Sequence, residues 1–126
     1  MAEATGDTNS MRRRAPLVLL LLAGAFCYIV TACPFLLGGD NGEYGTIFAD
    51  GGVAHPPGYP LYSIYLRLLS WIPASSPAHG SALATALLGV GAIYAVWLAA
   101  RSWGAGRLAA VLGATVYGFS SLGWRM

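Results

Sequence analysis

From Ala15 to Leu37 the chain runs 23 residues without a charged side chain. A helix needs about 20 such residues to cross a hydrocarbon layer of about 30 Å, so this run constrains the fold more than any other feature. Ser81–Ala100 is a second uncharged run of spanning length, and Leu108–Trp124 is a third, at the short limit and partly Gly-rich. The whole chain has 126 residues, 56% hydrophobic and 10% charged, against roughly 25% charged in soluble domains. A chain this short is dominated by its surface, and the surplus apolar surface must face lipid. The sequence therefore predicts an all-α integral membrane protein with three transmembrane helices, at 15–37, 81–100 and 108–124.

Every basic side chain is Arg. Arg12, Arg13 and Arg14 precede the first span, and Arg101 and Arg107 lie between the second and third; Arg67 and Arg125 lie elsewhere. Positive charge collects on the cytoplasmic side of a membrane. Five against two places the N-terminus and the 101–107 loop in the cytoplasm and the 38–80 loop outside it. Residues 1–14 are polar, the first ten with no apolar run to bury, and read as a disordered cytoplasmic tail. The Lys-free, Arg/Ala/Gly-rich style suggests a bacterial inner membrane. A rival reading takes the first span as a secretory signal ending in the lipobox-like Val30-Thr31-Ala32-Cys33; the apolar run continues beyond it, which favours an uncleaved anchor. Net charge is +2, and no basic patch alternates with aromatics, which argues against nucleic acid. Cys27 and Cys33, six residues apart on one helix, do not face each other for a disulfide.

The chemistry concentrates in the 38–80 loop. Asp40 and Glu43 supply two of the five acidic residues of the chain. They read either as an N-cap with its capping-box partner or as an acid/base or metal-binding pair whose basicity rises near the membrane. Asp50 precedes Gly51-Gly52 and reads as a turn residue. His55-Pro56-Pro57-Gly58-Tyr59-Pro60 is a strut stiffened by three prolines; beside an acidic pair, its imidazole suits a phosphate-bearing substrate. Within Pro60–Ile72, Leu61, Ile64, Tyr65, Leu68, Leu69 and Ile72 recur at helical spacing. Thirteen residues with Arg67 inside are too few to span, so an interfacial helix is expected at 60–72, with Tyr59, Tyr62, Tyr65 and Trp71 at headgroup level. Arg67 either snorkels or contacts a lipid phosphate.

Asp-x-Gly-Glu followed by Gly-Val-Ala-His-Pro-Pro-Gly-Tyr-Pro-Leu-Tyr (Gly52–Tyr62), between a first span and an amphipathic helix, resembles the membrane family typified by transmembrane protein 260. That family is similar to the GT-C glycosyltransferases, which take sugars from polyprenyl-phosphate donors. The resemblance implies a GT-C-like fold and transfer of a sugar, mannose in the type protein, to a hydroxyl of a protein or glycan acceptor outside the cytoplasm. It implies Asp40 as general base, Glu43 orienting the acceptor or assisting a divalent cation, and His55 near the donor phosphate. Pro57, Tyr59, Tyr62 and Arg67 are the expected substrate-binding residues, and no resident metal is assigned. Where the family often has a polar Arg/Asn feature before the second span, this chain has Ala78-His79-Gly80-Ser81. GT-C enzymes have many more spans, so an N-terminal fragment is expected, inactive by itself. The rival functions are a non-catalytic membrane subunit and a transporter fragment using the two carboxylates as an ion path.

Overall fold

The computed structural model describes residues 4–36, 38–56 and 58–120. Among the described residues there are five helices and no strand: α1 (Ala4–Thr31), α2 (Asn41–Asp50), α3 (Pro60–Leu68), α4 (Pro77–Ser102) and α5 (Arg107–Gly118). Two of them, α1 over Arg14–Thr31 and α4 over its whole length, are long and apolar enough to cross a membrane. Only 17% and 11% of those stretches are buried, unlike the central helix of a soluble core. Large apolar side chains stand exposed along both, including Leu19, Leu22, Phe26 and Val30 on α1 and Leu87 and Leu98 on α4.

Helix boundaries depart from the apolar runs for local reasons. The first helix takes in residues 4–14, for which the sequence offers no apolar driving force, and it carries Pro16 internally. Pro16 has no N–H for the carbonyl four residues back. The helix stops at Thr31, short of Leu37, because Pro34 biases Cys33 away from helical geometry; Leu37 itself lies outside the described residues. The second predicted span opens four residues before Ser81. Ser76 Oγ accepts the backbone N–H of His79 at 3.0 Å, with Pro77 in the first helical position, which is the arrangement of an N-capped helix start. The third predicted span corresponds to α5, whose 12 residues rise about 18 Å at 1.5 Å each. That is short of a bilayer core; residues 121–124 lie outside the described residues.

The chain divides into two compact units, one of residues 1–27 with 89–126 and one of residues 28–88. In the first, Ile93 is fully buried and lies over Gly24, where an added Cβ would come within 2.9 Å of its Cδ1. On α5 the buried residues are Ala110, Ala114 and Gly118, small residues four apart that let helices approach closely.

In the second unit α2 packs on α3. The core is Ile47, Phe48, Ala54, Leu66 and Ala84, flanked by Tyr44, Tyr62, Tyr65, Leu69 and Ile72. Leu66 is fully buried, while Leu61, Ile64 and Leu68 stand 84%, 58% and 69% exposed. The apolar stripe read from sequence is thus two faces. Tyr65, Leu69 and Ile72 serve the core, and Leu61, Ile64 and Leu68 face outward. The helix ends at Leu68 rather than Ile72. Leu69, Ser70 and Ile72 donate to carbonyls three residues back at 3.0–3.2 Å, as expected where Pro73 blocks continuation.

Candidate functional site

Asp40 closes the short segment after the first apolar helix and occupies the N-cap of α2, yet its side chain makes no capping hydrogen bond. Glu43, in the first turn, does not complete a capping box. Instead its carboxylate reaches across twelve residues of sequence to His55. Oε1 accepts the backbone N–H of His55 at 2.5 Å, and Oε2 lies 2.6 Å from the ring Nδ1. A carboxylate only accepts, so Nδ1 carries the proton and Nε2 is left for another partner. The two-point grip fixes both the backbone and the ring of His55, a stronger constraint than the proline strut alone.

The electrostatics follow from that contact. The hydrogen bonds from the His55 ring and backbone hold the Glu43 carboxyl below its ordinary 4.5. The same ring contact raises His55 above 6.5, with the Glu43 and Asp40 charges adding to it. Both side chains remain accessible, His55 at 49% and Glu43 at 30%, and Asp40 is exposed, so the group is open to a ligand. One ligand atom from each of Asp40, Glu43 and His55 lies within 4.8 Å of the others. This is close enough to share a cation, but Glu43 already commits both oxygens to His55. His55 Nε2 and Asp40 are the remaining donors, with Glu43 behind the imidazole as a second-layer partner.

The expected substrate-binding residues divide. The Tyr59 ring sits edge-on to the His55 ring, centroids 6.3 Å apart. Its backbone is left-handed at φ 38°, a conformation costing a non-glycine residue about 1–2 kcal/mol and held here at the N-cap of α3. Gly58, also left-handed at φ 87°, donates its N–H to the His55 carbonyl at 2.7 Å, closing the turn that carries the imidazole. Tyr62 turns inward. Its hydroxyl pairs with Thr85 Oγ1 at 2.6 Å, its ring meets Tyr44 edge-on at 5.0 Å, and burial pushes its phenol up. Arg67 donates from Nη1 to the Ala49 carbonyl at 2.6 Å, near the C-terminal end of α2, where a cation is favoured. Pro57 lies outside the described residues. Asp50 lies apart from the cluster, lining a cavity of about 500 Å³ with Leu36, Thr46 and Pro77.

Ser76 and His79, in the small-residue turn before the second span, carry no expected site role. Ser76 also donates from Oγ to the Pro34 carbonyl at 2.6 Å, and Ser75 Oγ lies 2.9 Å from His79 Nδ1. The Ser-Pro pair before an apolar run was a readable signal. Thr85, which holds Tyr62, carried no signal of its own.

Comparison with known proteins agrees with the motif. The family described as "Protein O-mannosyl-transferase TMEM260 N-terminal domain" matches residues 40–126, a stretch that begins at Asp40. The Dictyostelium discoideum protein O-mannosyl-transferase tmem260 is 33% identical over 113 residues, covering 87% of this chain and 14% of that protein. The Mus musculus protein O-mannosyl-transferase TMEM260 is 32% identical over 109 residues, covering 86% of this chain and 16% of that protein. The chain thus spans about one-seventh of the length of these curated relatives. No solved structure matches. The chain belongs to the TMEM260 protein O-mannosyl-transferase family, in the region of its N-terminal domain.

Proposed function

We propose that this chain is the N-terminal part of a membrane O-mannosyltransferase that moves mannose from a polyprenyl-phosphate donor to a protein hydroxyl on the non-cytoplasmic side. The observation that carries the reading is the meeting of Asp40, Glu43 and His55 within 4.8 Å, directly after the first apolar helix. Asp40, with no capping bond, takes the proton of the acceptor hydroxyl as that oxygen attacks the anomeric carbon. The bond between the anomeric carbon and the phosphate oxygen breaks, and polyprenyl phosphate leaves with the electron pair. A protonated His55 offers Nε2–H to that developing charge, and Glu43 acts through His55 rather than on the sugar. Should a divalent cation take part, Asp40 and a neutral His55, through Nε2, would hold it, and it would neutralise phosphate charge in place of the Nε2–H donation.

In this reading α1 and α4 are the first two spans, α5 opens the third at 108–124, and exposed Leu61, Ile64 and Leu68 rest in the membrane interface. The GT-C-like fold and the cytoplasmic N-terminus belong to the same proposal. The test is mannosyl transfer by the intact protein in membranes with Asp40→Asn. A fall of about 100-fold or more is expected for loss of a general base; an unchanged rate would remove Asp40 from that role.

A further inference from the structure

The unit of residues 1–27 and 89–126 holds a cavity of about 650 Å³ that the transfer chemistry does not use. Among the described residues, three that bear a guanidinium line it: Arg14 at the start of the apolar stretch of α1, Arg101 in the last turn of α4, and Arg107, first residue of α5. None of the described lining residues is acidic. Arg101 is steadied by donating from Nη1 to the Ala105 carbonyl at 2.5 Å, leaving its other N–H groups for an anion. The N-cap of α5 is Gly106, which has no side chain to cap the first amides, and a free helix N-terminus favours negative charge. The Trp97 ring forms part of the same wall; its indole Nε1 is buried and has no hydrogen-bond partner among the described residues. The rest of the described wall is Tyr94 and the apolar Leu17, Val18 and Leu21, which run down α1.

We infer that this cavity binds an anionic phospholipid from the bilayer, its phosphate among Arg14, Arg101 and Arg107 and its acyl chain along Leu17, Val18 and Leu21. The arginines answer the phosphate, and the leucine side has no use for a free inorganic anion. The site serves a structural lipid of the leaflet that meets the N-terminal end of the α1 span. It is independent of the donor-phosphate role given to His55.

The test is lipid titration by native mass spectrometry on the intact protein, delipidated in neutral detergent. The probes are phosphatidylglycerol, phosphatidylcholine and inorganic phosphate. Phosphatidylglycerol is expected to bind about tenfold or more tighter than phosphatidylcholine, with no competition from inorganic phosphate. Arg101→Gln and Arg107→Gln are each expected to weaken the anionic lipid by about fivefold. The Arg101→Lys/Arg107→Lys variant keeps the charge, and its retained preference separates electrostatic loss from misfolding. Equal affinity for the two lipids, displacement by inorganic phosphate, or full anionic-lipid affinity in both Arg101→Gln and Arg107→Gln would each overturn the inference.

Discussion

Glu43 gives both carboxylate oxygens to one residue, His55, and this fixes how the site responds to pH. His55 is raised above its ordinary 6.5, so the stability its proton confers is complete below that value and is lost as pH rises through the raised one. Glu43 is lowered below its ordinary 4.5, so its contribution is complete above that value and is lost as pH falls through the depressed one. The charged pair therefore stands from pH 4.5 to 6.5 and extends beyond both limits. Replacing Glu43 with Gln is expected to bring the His55 titration back toward 6.5, read as a leftward shift of the alkaline limb of the transfer-rate profile; an unmoved limb would mean that Glu43 does not govern His55. The sequence made these residues conspicuous because carboxylates are so sparse in it. It did not reveal that Glu43 turns from capping α2 to gripping His55, since that choice depends on the Gly58–Tyr59 turn bringing His55 within reach. Tyr62 shows the same dependence on distant partners: its pattern suits an interface, and Thr85 draws its hydroxyl into the packing.

At the scale of elements, the helix starts explain most differences from the apolar pattern. Ser76 caps α4 and also ties down the Pro34 carbonyl. Ser76→Ala is expected to cost about 1 kcal/mol, measured as a lower unfolding midpoint in detergent, and more if the Pro34 bond contributes. Gly80 matters for a steric reason. A Cβ there would fall 2.2 Å from the Phe48 ring, and Phe48 is 5% exposed in the core that seats α2. Gly80→Val is expected to destabilise by about 1–3 kcal/mol through overpacking and to reduce transfer by displacing α2; a wild-type midpoint would show that Phe48 has room to move. The presence of helices at 60–72 and 81–100 was legible from spacing and length, but their ends were not. Caps and prolines set those ends, and a hydropathy run does not weigh them. The two faces of α3 were illegible because Leu66 lies off the periodic stripe and only tertiary packing reveals it.

For the whole molecule, the all-helical character and the family were legible because apolar runs and the Asp40–Tyr62 motif are continuous in sequence. The curated relatives named above come from eukaryotes, so the Arg-rich, Lys-free style was a weak guide to a bacterial membrane. Transfer as proposed depends on Asp40, Glu43 and His55 working as one site, with Glu43 acting only through His55. A double-mutant cycle on mannosyl transfer by the intact protein measures that dependence. Glu43→Gln is expected to lose about tenfold and His55→Ala about 100-fold, with the double variant no slower than His55→Ala alone. Losses that multiply in the double variant, or singles that transfer at the wild-type rate, would contradict the account.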